Sequence, residues 1–404
     1  MRRVAVLCAL LAGLLLAACG EPDEDTTSGS LVLTVYTAGP LQGDARQDAQ
    51  DGADAVKLAL DQADGMVGPF TVNVVSFDDT DPDTGRWGPD QAVGNARRAI
   101  SDRNIIAYIG DSDSGATALS LPLLNEAGVL QVGPTAGYVG LTRKAGRGEP
   151  ERFYPAGMKS FGRIAPADDI QADALVGAMR ERGVRRLAVL HDGELEALGI
   201  VGLVTRAAKE AGMSVVAEKA IDADDKDQSG VARDVASAGA DAAFYAGSTA
   251  PAAAAVLDAL HAADPNLALF APDGLANPSL AGAIGSGTAR QLLLTSPSVP
   301  LADLPPAAAR FGRAFERTYG REPAPAAVFS YEAMRAVLDA VRGAGAKGND
   351  RSAVIRAYFA LKDRSTALGT WSVTPSGDST VRRYGVWRVR DGRLAFAGES
   401  GSGT

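Results

Sequence analysis

The chain has almost no cysteine, two residues in 404, and only two histidines. Cys8 lies inside an N-terminal apolar run and Cys19 closes it, so the rest of the chain has no disulfide framework. Zinc sites need three or four Cys, His or acidic ligands. His191 with Asp192 finds no further His or Cys to complete one, so we expect no metal and no cofactor. Neither a P-loop nor an H-E-x-x-H stretch occurs. Positive charge is also in short supply, with 40 Lys and Arg against 49 Asp and Glu, for a net charge of -9. A nucleic-acid partner needs clustered Lys and Arg, so that class is set aside. Beyond the N terminus no apolar run is long enough to cross a bilayer. No repeat at a solenoid period is visible.

The N terminus does hold a signal. Arg2 and Arg3 precede an apolar run from Val4 to Leu16, and small residues follow before Cys19. This is the layout of a secretory signal peptide over residues 1–18. Leu16-Ala17-Ala18-Cys19 resembles the bacterial lipobox, which implies cleavage before Cys19 and acylation of its thiol and new amine. Two or more acyl chains suffice for stable anchoring, whereas one is marginal. Residues 19–30 are polar and acidic after the cysteine, and read as a tether. The expected place is the outer face of the cell membrane, or the periplasm.

From Leu31 short β-rich runs alternate with helical stretches. Strands are expected at Leu31–Tyr36, Phe70–Phe77, Ile105–Ile109 and Val129–Val132. A second series follows at Arg186–Leu190, Ser214–Ala220, Ala242–Tyr245, Ala268–Ala271 and Leu292–Thr295. Helices are expected at Ala53–Ala63, Pro89–Ser101, Asp168–Arg182, Val201–Ala211 and Pro251–Ala263. Such alternation implies parallel sheets with right-handed crossovers, and the length implies two lobes. After Pro305 come three helical stretches, then short strands near Gly369–Val373, Tyr384–Val389 and Arg393–Ala397. Asp391-Gly392 between the last two is a hairpin signal. This last third is expected to complete both lobes.

Several short stretches fall in a consistent order. They are Ala38-Gly39-Pro40-Leu41 with Gly43, Gly52-Ala53, Phe77-Asp78-Asp79-Thr80 with Asp81-Pro82, and Tyr108-Ile109-Gly110 with Ser114. Asn125-Glu126-Ala127-Gly128-Val129 and Gly133-Pro134-Thr135-Ala136 follow. The second half adds Ala188-Val189-Leu190-His191-Asp192, Phe244-Tyr245-Ala246-Gly247 and Ala271-Pro272-Asp273-Gly274. Together, from about Leu31 to Ala397, they resemble the type I periplasmic binding proteins, in particular the leucine/isoleucine/valine-binding branch that feeds ABC importers. The resemblance implies an α/β chain with two Rossmann-like lobes, joined by three hinge crossovers, the second near Ser296-Pro297. The lobes are expected at 31–167 with 297–383 and at 168–296 with 384–404. It also implies a ligand in the cleft, no catalysis, an ABC permease as partner and a monomeric state. The expected ligand is a branched-chain amino acid or related small polar metabolite. A lipoprotein that reports a ligand to a membrane receptor would use the same fold, and the sequence does not separate the two.

The loop Gly110–Thr117 runs from a strand end to a helix start, where open α/β sheets bind ligands and free N–H groups suit a carboxylate. Ser114 matches the family position for the ligand carboxylate, and Thr135 a second, mainly backbone, contact. Asp273 matches a position where a Glu often pairs with the ligand ammonium. Gly137 stands where a ligand-binding Thr is usual, Leu198 where a Tyr precedes Gly199, and Ser248 where an aromatic is common. Asp111 and Asp113 are expected to face solvent, as loop acids mostly do. Trp87 either walls the cleft or covers the first lobe. Gly110-Asp111-Ser112 with Asp258 and His261 also matches a GDS-type esterase pattern, but His261 falls on an alanine-rich helix, where a solvated i,i+3 contact with Asp258 is expected.

Overall fold

The computed structural model describes residues 31–247 and 249–400. The expected leader, Cys19 and the tether lie outside the described residues, as does Ser248.

The first sheet forms from strands β1 (Val32–Gly39), β2 (Met66–Val67), β3 (Phe70–Asp78), β4 (Ile105–Ile109), β5 (Leu130–Gly133) and β6 (Phe161–Arg163). Its order is β2-β3-β1-β4-β5-β6, parallel except for the short β2–β3 pair. Helices α1 (Arg46–Asp61), α2 (Pro89–Ser101) and α3 (Ser114–Glu126) connect these strands. Strand β1 shows why both faces need cover. Leu33 and Val35 enter one apolar cluster, and Tyr36 and Ala38 an opposite one. Period-two alternation with apolar residues on both faces is the mark of a strand sandwiched by helices.

The chain then passes to the second lobe through α4 (Asp168–Glu181), β7 (Arg186–His191), α5 (Leu195–Glu210), β8 (Ser214–Ala220), α6 (Ser229–Ser237) and β9 (Ala242–Ala246). Next come α7 (Ala250–Ala263), β10 (Ala268–Ala271), α8 (Pro278–Ala283), α9 (Ser286–Gln291) and β11 (Leu292–Ser296). A second crossing brings α10 (Pro306–Tyr319), α11 (Ala327–Ala344) and α12 (Arg351–Phe359) back to the first lobe. Phe311, Phe315, Met334 and Val337 there join the same cluster as Leu33 and Val35. Each such fully buried side chain stabilises the lobe by about 1.5–3 kcal/mol. The small hairpin β12 (Arg364–Thr366) and β13 (Gly369–Trp371) seats Trp371 in that core. A third crossing leads to β14 (Tyr384–Arg390) and β15 (Arg393–Ser400), which add antiparallel strands to the second sheet, ordered β15-β14-β11-β10-β9-β7-β8. Asp391 and Gly392 both take positive φ, the backbone that a two-residue hairpin turn requires.

The three crossings are tied side to side. Ser379 Oγ donates to the Ile164 carbonyl at 2.7 Å and Trp387 Nε1 to the Ser298 carbonyl at 3.1 Å. Arg163 takes the Gly377 carbonyl through its own N–H at 2.9 Å. The segments that follow the carboxyl ends of β4 and β7 meet in the cleft between the lobes, Ser114 with Glu196.

Candidate ligand-binding cleft

Strand β4 ends at Gly110, whose φ of +143° is a backbone that side chains rarely adopt. An added Cβ would meet the Ala38 carbonyl at 3.0 Å. Glycine lets the chain turn so that Asp111 goes inward. The Asp111 carboxylate is fully buried and accepts from Tyr108 Oη at 3.0 Å and Ser120 Oγ at 2.6 Å. Burial lifts it to about 6. Asp113 accepts from the N–H groups of Gly115 (2.6 Å) and Ala116 (3.3 Å) and caps α3. The expectation of solvent-facing acids is therefore wrong for Asp111, which is buried and answers Tyr108 and Ser120, whereas Asp113 is half-buried and turned onto the helix start. The donors at the helix start that were to receive a ligand carboxylate are in fact taken by Asp113. Trp87 lies against Gly115, at the start of the same helix.

Ser114 is fully buried at the cleft. Its Oγ accepts from the Tyr138 N–H at 3.1 Å and donates to Glu196 Oε1 of α5 at 3.2 Å, so this hydroxyl joins the two lobes. Thr135 Oγ1 donates to the Ser112 carbonyl at 2.8 Å, and Thr135 lines a cavity of about 210 Å3 at the carboxyl end of the first sheet with Gly39, Pro40, Phe77, Ser112 and Ser330. Gly137 is set by Asp168. A Cβ on Gly137 would fall 2.0 Å from Asp168 Oδ1, so the carboxylate fills the space that a Thr side chain would need. The loop carrying Gly137 is held by Arg163, which donates to the carbonyls of Ala136 at 2.7 Å and Tyr138 at 2.9 Å and pairs with Asp378 at 2.9 Å. Burial pushes the Asp378 carboxyl up, but Arg163, Thr142 and Arg143 more than offset this and hold it below its usual range.

Across the cleft, Asp273 opens the turn after β10 and accepts from Gln171 Nε2 at 2.9 Å and the Gly274 N–H at 3.1 Å. Gln171 also donates to Thr295 Oγ1 at 3.1 Å. Leu198 is 48% exposed, and Glu196 two residues earlier takes the cleft position instead. Burial raises Asp168 to about 8, with Asp273 adding to the shift. Burial, and then the charges of Asp113, Asp168 and Asp273, hold Glu196 well above its usual range. Tyr384 feels the same three acids, Asp273, Asp168 and Glu196, after burial, the largest cause of its upward shift. Asp168, Gln171, Glu196 and Tyr384 were not singled out from sequence. The one available signal was Gly137, a missing side chain whose space another residue had to fill.

The esterase pattern does not assemble. Asp258 accepts from the Gly285 N–H at 3.1 Å and from Thr288 Oγ1, so it serves the start of α9 and makes no bond with His261. The expected i,i+3 contact is replaced because Asp258 instead accepts from one backbone N–H and one hydroxyl at the start of α9.

Residues 37–393 match the family model for periplasmic binding protein. The chain belongs to the periplasmic binding protein family. A Leu/Ile/Val-binding protein homolog of Brucella melitensis is 25% identical over 90% of this binding protein and 92% of its own length. The structure of a leucine-binding protein from Thermotoga maritima superposes with a TM-score of 0.77 at 22% identity, covering 92% of this chain and 99% of that one. A solute-binding protein of R. palustris in complex with benzoate gives 0.73 at 18% identity, covering 91% and 96%. Both likenesses show the fold. One fold thus serves chemically different ligands, so the identity of this binding protein's ligand rests on its own cleft. No helix among the described residues is long and apolar enough to cross a membrane.

Proposed function

We propose that this binding protein captures a small polar metabolite, an amino acid or close analogue, and delivers it to an ABC permease. In this reading acyl chains on Cys19 anchor it, as a monomer, to the outer face of the cell membrane. The lobes 31–167 with 297–383 and 168–296 with 384–404 close on the ligand as hinged bodies, with no chemistry performed on it. The observation that carries the reading is the Ser114–Glu196 hydrogen bond, which brings groups of both sheets' carboxyl ends together where open α/β folds take ligands. Relatives named for leucine, isoleucine and valine binding support the amino-acid class. Ser114 and Asp273 are the proposed contacts from opposite lobes, with Gly137 contributing the room that the Asp168 carboxyl occupies. Thr135 is proposed through the first-lobe loops, and Ser248 from the second.

A thermal-shift screen of amino acids, amines and organic acids tests this. A true ligand stabilises the closed form by mass action, about 2.7 kcal/mol at a hundred times its Kd. Small-angle scattering should then show a smaller radius of gyration at saturation. No stabilisation by any class, or an unchanged radius with a bound ligand, refutes the closing-lobe reading.

A further inference from the structure

The cleft gathers three acid side chains, more than one ammonium can pair. Asp168 comes from the start of α4, Glu196 from α5 and Asp273 from the turn after β10. Asp168 is 1% exposed, and neither oxygen of its carboxylate has a hydrogen-bond partner among the described residues. A buried carboxylate left in that condition is costly unless something pairs with it. The neighbouring donors are committed. Gln171 Nε2 serves Asp273 and Thr295, and Ser114 Oγ serves Glu196. The Arg163 guanidinium, whose charge reaches Asp168, is spent on Asp378, two carbonyls and Thr142 Oγ1.

A zwitterionic ligand with an apolar side chain does not resolve this. It adds a carboxylate for each ammonium, and the N–H groups of Gly115 and Ala116 that would take that carboxylate already bond Asp113. A metal ion is no better match, because no group of three or more acid or His side chains among the described residues is arranged to hold one. Positive charge that answers these acids therefore arrives as separate centres, because the acids are carried by different elements.

We propose that the cleft ligand carries at least two cationic nitrogen centres, one facing Asp168 and Asp273 and the other facing Glu196. The inference rests on the solute-binding reading above and names the ligand's charge class within it. A basic amino acid and an aliphatic diamine share this chemistry. Gly137 fits the same arrangement, since it leaves Asp168 room beside the ligand.

The test is calorimetry on the full chain with two matched pairs: L-lysine against L-norleucine, and 1,5-diaminopentane against pentylamine. Within each pair only the second cation differs. The dicationic member of at least one pair is expected to bind about a hundredfold tighter than its partner, a gap of about 2.7 kcal/mol. Lysine ahead of the diamine identifies a basic amino acid, and the reverse identifies a diamine. Glu196→Gln should remove at least tenfold of that preference. Should this variant fail to fold, the wild-type pairs still decide. Equal affinity within both pairs, or binding confined to neutral or anionic compounds, overturns the charge assignment and leaves solute capture standing. Failure of every compound class in the wider screen overturns both readings.

Discussion

Gly137 offers the sharpest test of how the cleft is built. Replacing it with alanine adds one methyl group, which would sit 2.0 Å from Asp168 Oδ1 and 2.9 Å from its Cγ. Contact of that kind is impossible, so either the Asp168 side chain or the 136–138 loop must move. The loop is pinned by Arg163 through two carbonyls, and Asp168 sits in the first turn of α4 with its own N–H on the Gly137 carbonyl at 3.0 Å. Neither gives way freely. Overpacking of this order costs about 1–3 kcal/mol. For a lobe of this size each kcal/mol lowers the melting temperature by about 2–4 °C, giving a fall of roughly 2–12 °C for Gly137→Ala. Asp168→Ala alone removes a buried acid without hydrogen-bond partners and should be neutral or stabilising at pH 8. The double variant should recover most of the loss, so the two changes are non-additive by at least 1 kcal/mol, as expected for groups in contact. Differential scanning calorimetry on the four proteins of this cycle measures the coupling. Additive effects, or a Gly137→Ala variant as stable as wild type, would show that the Asp168 carboxylate does not occupy that space.

Other expectations concern pH, the first-lobe loop and the anchor. Asp79 and Asp168 have carboxyls raised from 3.8 to about 8 by burial first, then by Asp111 and Asp113 for Asp79 and by Asp273 for Asp168. The folded state thus holds protons that the unfolded state has lost, and stability in the absence of ligand should fall as pH rises from about 4 through 8, by up to ~1.4 kcal/mol per pH unit for each group. Urea unfolding at pH 5, 6.5 and 8 measures this; Asp168→Asn should flatten the slope, and a wild-type slope of opposite sign would contradict the burial of these acids. Arg163→Met breaks a buried pair with Asp378 and frees two carbonyls, so it should cost on the order of 3–5 kcal/mol, read as a lower denaturant midpoint. Cys19→Ser should move the protein from the membrane fraction to the soluble fraction, or block its processing; unchanged retention with an unmodified N-terminal peptide by mass spectrometry would remove the proposed anchor.

The strands were legible because their apolar runs are continuous. Ile105–Ile109 and Ala268–Ala271 stand at their expected ends, and each of the two long parallel series appears in its sheet. Phe161–Arg163 escaped notice because it is three residues long and ends in an arginine, which here is fully buried and serves two loops at once. The apolar pattern puts the start of α1 at Ala53, seven residues late, because Arg46–Gly52 is mostly polar and carries no apolar stripe. In the cleft, Ser114 and Asp273 are candidates through strand-end position together with the family resemblance. Asp168 and Glu196 are not, since nothing local marks them. Their character comes from being brought together by elements of two lobes, and a helix-start Asp or Glu ordinarily reads as a favourable dipole partner.

The return of α10 and α11 to the first lobe has a consequence for how the chain acquires its structure. Tyr331 Oη donates to Gln62 across 269 residues, and α11 covers the sheet face that displays Leu33 and Val35. A chain synthesised only as far as Ser296 holds the parallel strands β7–β11 of the second lobe in one uninterrupted stretch, but on the sheet face of Leu33 and Val35 it has α1 alone, without the α10, α11 and α12 that complete the cluster. Contacts so distant in sequence form late, after the local ones. The N-terminal half must therefore wait, with an apolar surface open to water, until the last third arrives. A truncation anywhere between the second crossing and α11 should yield an aggregating species rather than a smaller binding protein.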